Sequence, residues 1–182
     1  AARLRAGGEP FVAFEFCRAR PAMAASASKA WIKVMVEGGP IDRWELTDCC
    51  GSFVTGVAWR EGAIDDGQVL KWARSKDPWV RRLALVSTVP LNCKARGAVA
   101  GGKGDAVRTL AVCELLVADR HDMVVKAMSW ALRELAKPDA AAVKGFLRTH
   151  GESVAARVRR EVGNKLSTGL KNPRLGRATK NK

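Results

Sequence analysis

Asp77-Pro78-Trp79-Val80-Arg81-Arg82-Leu83 can be laid on Asp122-Met123-Val124-Val125-Lys126-Ala127-Met128 with a shift of 45 positions. Four places coincide: Asp77 over Asp122, Val80 over Val125, the basic Arg81 over Lys126, and the apolar Leu83 over Met128. A period of about 40–47 residues is that of helix pairs stacked side by side in an array. Each pair cannot bury its apolar face alone, so neighbours share one continuous core.

Working outward, apolar residues recur at helical spacing. Val107, Leu110, Ala111, Leu115 and Leu116 form one stripe, and Val124, Val125, Met128, Leu132 and Leu135 another. No strand-like alternation is sustained. Breakers separate the helices: Gly38-Gly39-Pro40, the turn from Gly62 to Gly67, Pro90 and Asn92, the glycine-rich stretch from Gly97 to Gly104, and Pro138. Asp105 has the place and chemistry of an N-cap for a helix starting near Ala106. The run from Asp77 to Ala84 also has the D-P-x-V-R-x-x-A form of HEAT repeats. These features predict an all-α protein, an α-solenoid of stacked antiparallel helix pairs (HEAT-like repeats, an alpha-alpha superhelix). One domain is expected over 1–170, followed by a basic, disordered tail over 171–182. The start on Ala1, with Phe11-Val12-Ala13-Phe14 already reading as core, suggests a chain lacking upstream helices.

Charge is the strongest compositional signal. Lys and Arg number 32 against 18 Asp and Glu, a formal net charge of +14 over 182 residues. Such an excess points to a polyanionic partner, nucleic acid before a membrane surface. No apolar run approaches the length needed to span a bilayer, and no signal peptide is evident. The five cysteines, Cys17, Cys49, Cys50, Cys93 and Cys113, form no C-x-x-C and lie far in sequence from His121 and His150. They read as reduced, buried, small hydrophobes of an intracellular chain, with no metal site and no cofactor expected. The glycine-rich stretch lacks a phosphate-loop ending, because Lys103 is followed by Gly104 and Asp105.

Stacked repeats present equivalent positions on one face, and basic residues there make an extended positive groove. Candidates for that face are Arg81, Arg82, Lys126, Arg133, Arg157, Arg159 and Arg160, with Lys165 and Lys171 as further nucleic-acid contacts. The tail reads either as a solvated end or as a phosphate-contacting arm.

Three motifs in order carry a resemblance. Trp44-Glu45-Leu46-Thr47-Asp48 resembles the W-D-x-x-D motif of the DNA alkylation repair enzymes, the HEAT-like-repeat alkylpurine DNA glycosylases. Trp79-Val80-Arg81-Arg82 resembles their W-x-x-R motif, and the run from Lys126 to Glu134 their K-A-x-x-W-x-L-R-E motif. The resemblance runs from about Phe11 to Pro173. It departs at Glu45, where the family commonly has Asp, and in beginning later than family chains, which carry one or more earlier helical pairs.

The resemblance implies excision of alkylated purines from duplex DNA by hydrolysis of the N-glycosidic bond, a base excision repair reaction needing no metal. It implies Asp48 as the catalytic carboxylate, Trp44 and Trp130 as aromatic walls beside the lesion, and Arg82 as a holder of the backbone there. A cytoplasmic, nucleoid-associated monomer is expected. The residue types suit the chemistry. A base alkylated at N7 or N3 is cationic and leaves without protonation, so the enzyme must stabilise an oxocarbenium-like sugar and guide water to it. Aromatic faces near positive charge contribute about 0.5–2 kcal/mol each. Trp44 and Asp48 are spaced to share a helix face.

Structural readings stand beside these. Trp44 and Trp130 fit core packing. Asp48, beside Cys49 and Cys50, reads as partly buried and in need of a partner, which Arg82 could be. Trp31, Trp59, Trp72 and Trp79 read as core or interhelical packing, Arg133 and Glu134 as an interhelical salt bridge, and His121 as a loop residue. The alternatives to a glycosylase are a non-catalytic nucleic-acid-binding solenoid and a protein-interaction scaffold.

Overall fold

A computed structural model describes residues 41–94 and 101–173, with Cys17, Ala19, Arg20 and Ile32. The expectations for Phe11 to Phe14, Trp31, Gly38 to Pro40 and positions 174–182 lie outside the described residues. The chain is all-helical, an α-solenoid, and no strand occurs among the described residues. The elements are α1 (Trp44–Cys50), a π-helical turn (Gly51–Thr55), α2 (Gly56–Arg60), α3 (Asp66–Ala73), α4 (Pro78–Ser87), α5 (Val89–Asn92), α6 (Ala106–Leu115), α7 (Asp122–Leu135), α8 (Ala140–His150) and α9 (Ala156–Thr168).

They form two layers. The rod of α1, the π turn and α2 packs on α4, α4 on α7, and α7 on α9. The second layer holds α3, α6 and α8, with α3 against α4 and α6, and α6 and α8 against α7. One core of Val, Leu, Ala, Trp and Cys side chains runs through both, from Leu46 and Trp59 to Leu132, Leu135 and Val162.

Aspartates start many of these helices. Asp65, Asp77, Asp105 and Asp139 each accept a hydrogen bond from a backbone N–H in the first turn, of Gln68, Trp79, Arg108 and Ala142 respectively. Each such cap contributes about 1 kcal/mol by satisfying an otherwise orphaned donor. Pro78 follows its cap at the first helical position, where a missing N–H costs nothing. Cys50 and Cys113 are fully buried, and burial pushes the Cys50 thiol up to about 12. Trp59 and Trp72 are core, as the sequence reading expects.

The α6 stripe differs from the sequence pattern. Val107 is 84% exposed and Leu115 lies at the surface, while Thr109, Val112, Cys113 and Leu116 are buried. The cause is polar. Asn92 is buried at the end of α5, and its amide donates to Thr109 Oγ1 at 2.8 Å while its Oδ1 accepts from the Asp105 N–H at 2.9 Å. Satisfying a buried amide outweighs burying Val107, so α6 is rotated to bring Thr109 inward.

Close backbone approach fixes the rod against α4. A Cβ on Gly56 would stand 2.5 Å from the Ser87 carbonyl oxygen, and nearby the Thr55 and Ser87 hydroxyls share a buried hydrogen bond of 2.7 Å. Gly56→Ala should therefore lower stability by about 1–3 kcal/mol through overpacking. Gly163→Ala, inside α9 with nothing near its Cβ position, should raise it by about 0.5–1 kcal/mol. Denaturant unfolding of the two variants measures both signs; equal effects would remove the packing argument.

Candidate functional site

Trp44 opens α1 and Asp48 lies one turn further along it. Trp44 is 50% exposed, whereas Leu46, Thr47 and Cys50 on the other faces are buried. The carboxylate of Asp48 is turned toward α4, where Arg82 sits 6% exposed. The guanidinium meets it side on: Nε donates to Oδ1 at 2.8 Å and Nη2 to Oδ2 at 2.7 Å. Its remaining nitrogen, Nη1, donates to the carbonyl oxygen of Met123 in the first turn of α7 at 2.5 Å. Arg82 thus joins three successive helices of one layer.

The pairing answers a physical need. A guanidinium taken out of water is costly unless its donors are used and its charge is met. Both oxygens of Asp48 accept in the parallel geometry that makes arginine–carboxylate pairs strong. Burial nevertheless pushes the Asp48 carboxyl above its ordinary value, against the opposing pull of the Arg82 hydrogen bonds and charge. A fifth of the side chain stays open to solvent, at 19%.

Trp130 is half-buried and packs on the core. It stands two helical turns, roughly 10 Å, along α7 from Met123. Lys126, Trp130 and Arg133 recur at helical spacing as the partly exposed stripe of α7, between residues that are buried. The structure therefore brings Asp48, Arg82 and the start of α7 into direct contact, with Trp44 one turn from Asp48 on α1 and Trp130 two turns from Met123 on α7.

The basic candidates divide. Arg81 is committed elsewhere: Nε donates to Asp119 Oδ2 at 2.6 Å, and Nη1 donates to the carbonyls of Ser75 and Lys76. It clamps two interhelical loops. Lys126 and Arg157 both pair with Asp122, at 2.6 and 2.9 Å, linking α7 to α9 and holding that carboxyl below its ordinary value, Lys126 foremost. Arg159 donates to the Gly151 carbonyl and Lys165 to that of Gly169. Arg160 is exposed and lines a shallow cleft with Arg120, Asp122, Val125, Ala155 and Arg157. Lys171, expected at the start of the tail, reaches Glu161 Oε2 at 3.5 Å.

Glu134 departs from the expected interhelical bridge. It is buried and pairs with Lys137, in the turn just past the end of α7, while Arg133 Nε donates to Ser129 Oγ. Helix spacing explains this, since residues three or four apart are neighbours and adjacent ones diverge. Trp79 packs against the core with an edge-on contact to His121, the residue just before α7.

Sequence reasoning missed Glu161, Ser129 and Arg120. Glu161 lies four residues after Arg157, a spacing at which a pair could have been read. Nothing in the sequence marks Ser129 or Arg120.

Among the described residues no group of three His, Cys, Asp or Glu side chains could hold a metal ion, and no helix is long and apolar enough to cross a membrane. Neither curated proteins nor solved structures provide a match. The three ordered motifs and the helical stack agree with the family model described as DNA alkylation repair enzyme, which matches residues 8–166, and the chain belongs to that family.

Proposed function

We propose that this protein is a DNA glycosylase that hydrolyses the N-glycosidic bond of cationic N3- or N7-alkylpurines in duplex DNA. The observation that carries the reading is the Asp48–Arg82 pair, a carboxylate held in one plane by two hydrogen bonds and still partly open to solvent, one turn from a half-exposed Trp44. Each carboxylate oxygen has further acceptor capacity beyond the one bond it takes from Arg82.

In this reading the electron pair of the C1′–N bond leaves with the base and neutralises its positive charge. The sugar becomes oxocarbenium-like, and the Asp48 carboxylate stabilises it electrostatically. Asp48 also accepts a hydrogen bond from the attacking water and takes its proton as the new C–O bond forms. Arg82 keeps the carboxylate plane fixed, a preorganisation that costs nothing at the moment of reaction. Trp44 and Trp130 supply aromatic faces to the cationic base and sugar. Lys126, Arg157, Arg159 and Arg160 provide positive potential for the phosphate backbone.

One observation favours a second reading, a DNA-binding solenoid without chemistry: both Asp48 oxygens are already engaged by a buried arginine, as in a purely structural ion pair. Incubation with methylated duplex DNA at low salt separates the two. Wild-type protein should release 7-methylguanine and 3-methyladenine, and Asp48→Asn should release them at least about 100-fold more slowly while still binding DNA. Equal release by both proteins removes Asp48 from catalysis, and binding without release by the wild type establishes the second reading.

The acid limb of activity adds a further check. The ionised carboxylate is the active form, and burial raises its pKa, so activity should fall on acidification through a midpoint above the ordinary aspartate value. Arg82→Gln removes the hydrogen bonds and charge that oppose burial. The midpoint should then move to still higher pH, and stability should drop by about 3–5 kcal/mol. The pH–rate profile of base release and urea unfolding measure the two; a midpoint unmoved or lowered would separate the limb from Asp48.

A further inference from the structure

Glu161 on α9 is a carboxylate outside the Asp48 site, 3% exposed, and faces α7. Its Oε2 accepts from the Ser129 hydroxyl at 2.6 Å. Arg157 Nε lies 3.3 Å from Oε1 and Lys171 Nζ 3.5 Å from Oε2. Burial alone would raise its pKa, but the Ser129 hydrogen bond and the charges of Lys171, Arg133 and Arg157 together hold the carboxyl below its ordinary value, so it is ionised at neutral pH.

An ionised carboxylate can only accept, which fixes the direction of the next bond. Ser129 is fully buried and has one proton, and that proton is directed to Glu161. Its oxygen then offers only lone pairs to the second neighbour, Nε of Arg133 at 3.3 Å. Glu161 thereby makes Ser129 an acceptor aimed at Arg133. Arg133 lies on the partly exposed stripe of α7, one turn beyond Trp130. Neither of its Nη groups has a hydrogen-bond partner among the described residues. A guanidinium anchored through Nε alone presents its two Nη groups as a fork, the geometry that takes a phosphate oxygen pair.

We propose that Glu161 and Ser129 are positioning residues that hold Arg133 as a fork for a DNA backbone phosphate beside Trp130. The proposal rests on the DNA-acting reading above and extends it from α1 and α4 to α9. It also gives the buried Glu161 a role: its charge orders a hydroxyl, and the hydroxyl orders an arginine two residue-contacts away.

The test is binding of an unmodified duplex oligonucleotide, followed by fluorescence anisotropy between 50 and 200 mM KCl, roughly the range over which phosphate contacts dominate the salt response. Arg133→Ala should weaken binding and reduce the slope of log affinity against log salt by about 0.9, the loss of one neutralised phosphate. Ser129→Ala should reduce the slope similarly, and the double variant should fall no further than Arg133→Ala alone. Glu161→Gln removes the charge that fixes the Ser129 proton but also releases Arg157 and Lys171, so it serves as a background: in it, Arg133→Ala should reduce the slope by clearly less than it does in the wild type. Thermal unfolding run beside these isolates a purely structural effect: a Ser129→Ala protein that melts earlier yet keeps the wild-type slope, or a Glu161→Gln background in which Arg133→Ala still removes the full step, would overturn the relay. An unchanged slope in Arg133→Ala overturns the fork while leaving the glycosylase reading to its own assay. A wild-type protein that binds no duplex at all overturns both.

Discussion

A guanidinium buried to the extent of Arg82 has few stable arrangements, and the one adopted here ties the layer together. Its three hydrogen bonds reach Asp48 on α1 and the Met123 carbonyl on α7 from a position on α4. Around it the packing is apolar: Val80, Leu83, Leu85 and Val86 of the same helix are buried, as are Val124 and Val125 beside Met123. In such surroundings an unpaired charge is worth several kcal/mol of destabilisation, so α1 and α7 are held to the one registry that satisfies it. The close approach of Gly51 and Gly56 to α4 serves the same end, because a rod kept at distance could not deliver Asp48 to the guanidinium.

The same economy governs the other charges. A net charge of +14 suggests a surface crowded with free cations. In the fold many basic groups are spent on internal work: Arg81 clamps loops, Arg108 pairs with Asp66 and lies over the Trp59 ring, and Arg157 bridges Asp122 and Glu161. A cation paired with an exposed carboxylate such as Asp122 can still exchange that partner for a phosphate at small cost, since exposed pairs contribute little. One also clamped to two backbone carbonyls, as Arg81 is to those of Ser75 and Lys76, cannot, which separates Lys126 from Arg81.

The architecture was legible because it is written in local signals. The 45-residue repeat, the Asp105 cap and the α7 stripe from Val124 to Leu135 need no tertiary information. The α6 face was not, because its rotation is set by a buried Asn92 across the loop, a contact between positions 17 residues apart that no period encodes. The candidate site was legible in part. Asp48 and Arg82 could be matched as a carboxylate and a cation that burial would force together. Arg81 and Arg82 are adjacent in one basic pair, and only the 100° step between them on α4 sends one to a loop and the other to the carboxylate. Glu161 was hidden for a related reason: in a segment dense in arginine it reads as one more surface charge, whereas the packing of α9 on α7 buries it over Ser129.

The Asp48–Arg82 pair need not be either structural or chemical. A carboxylate that supports an oxocarbenium-like sugar must not reorganise as charge develops, and immobility in a side chain comes from packing and hydrogen bonds. The contacts that hold the three helices in registry are therefore the ones that would keep Asp48 in place for reaction. The cost lies in its charge, part of which Arg82 neutralises. Desolvation works in the opposite direction by leaving what remains less screened, and the partial opening of Asp48 to solvent marks the side from which a substrate could meet it. On the proposed reading, stability and chemistry at this site draw on one interaction, and unfolding, DNA binding and base release measured on the same variant separate the two.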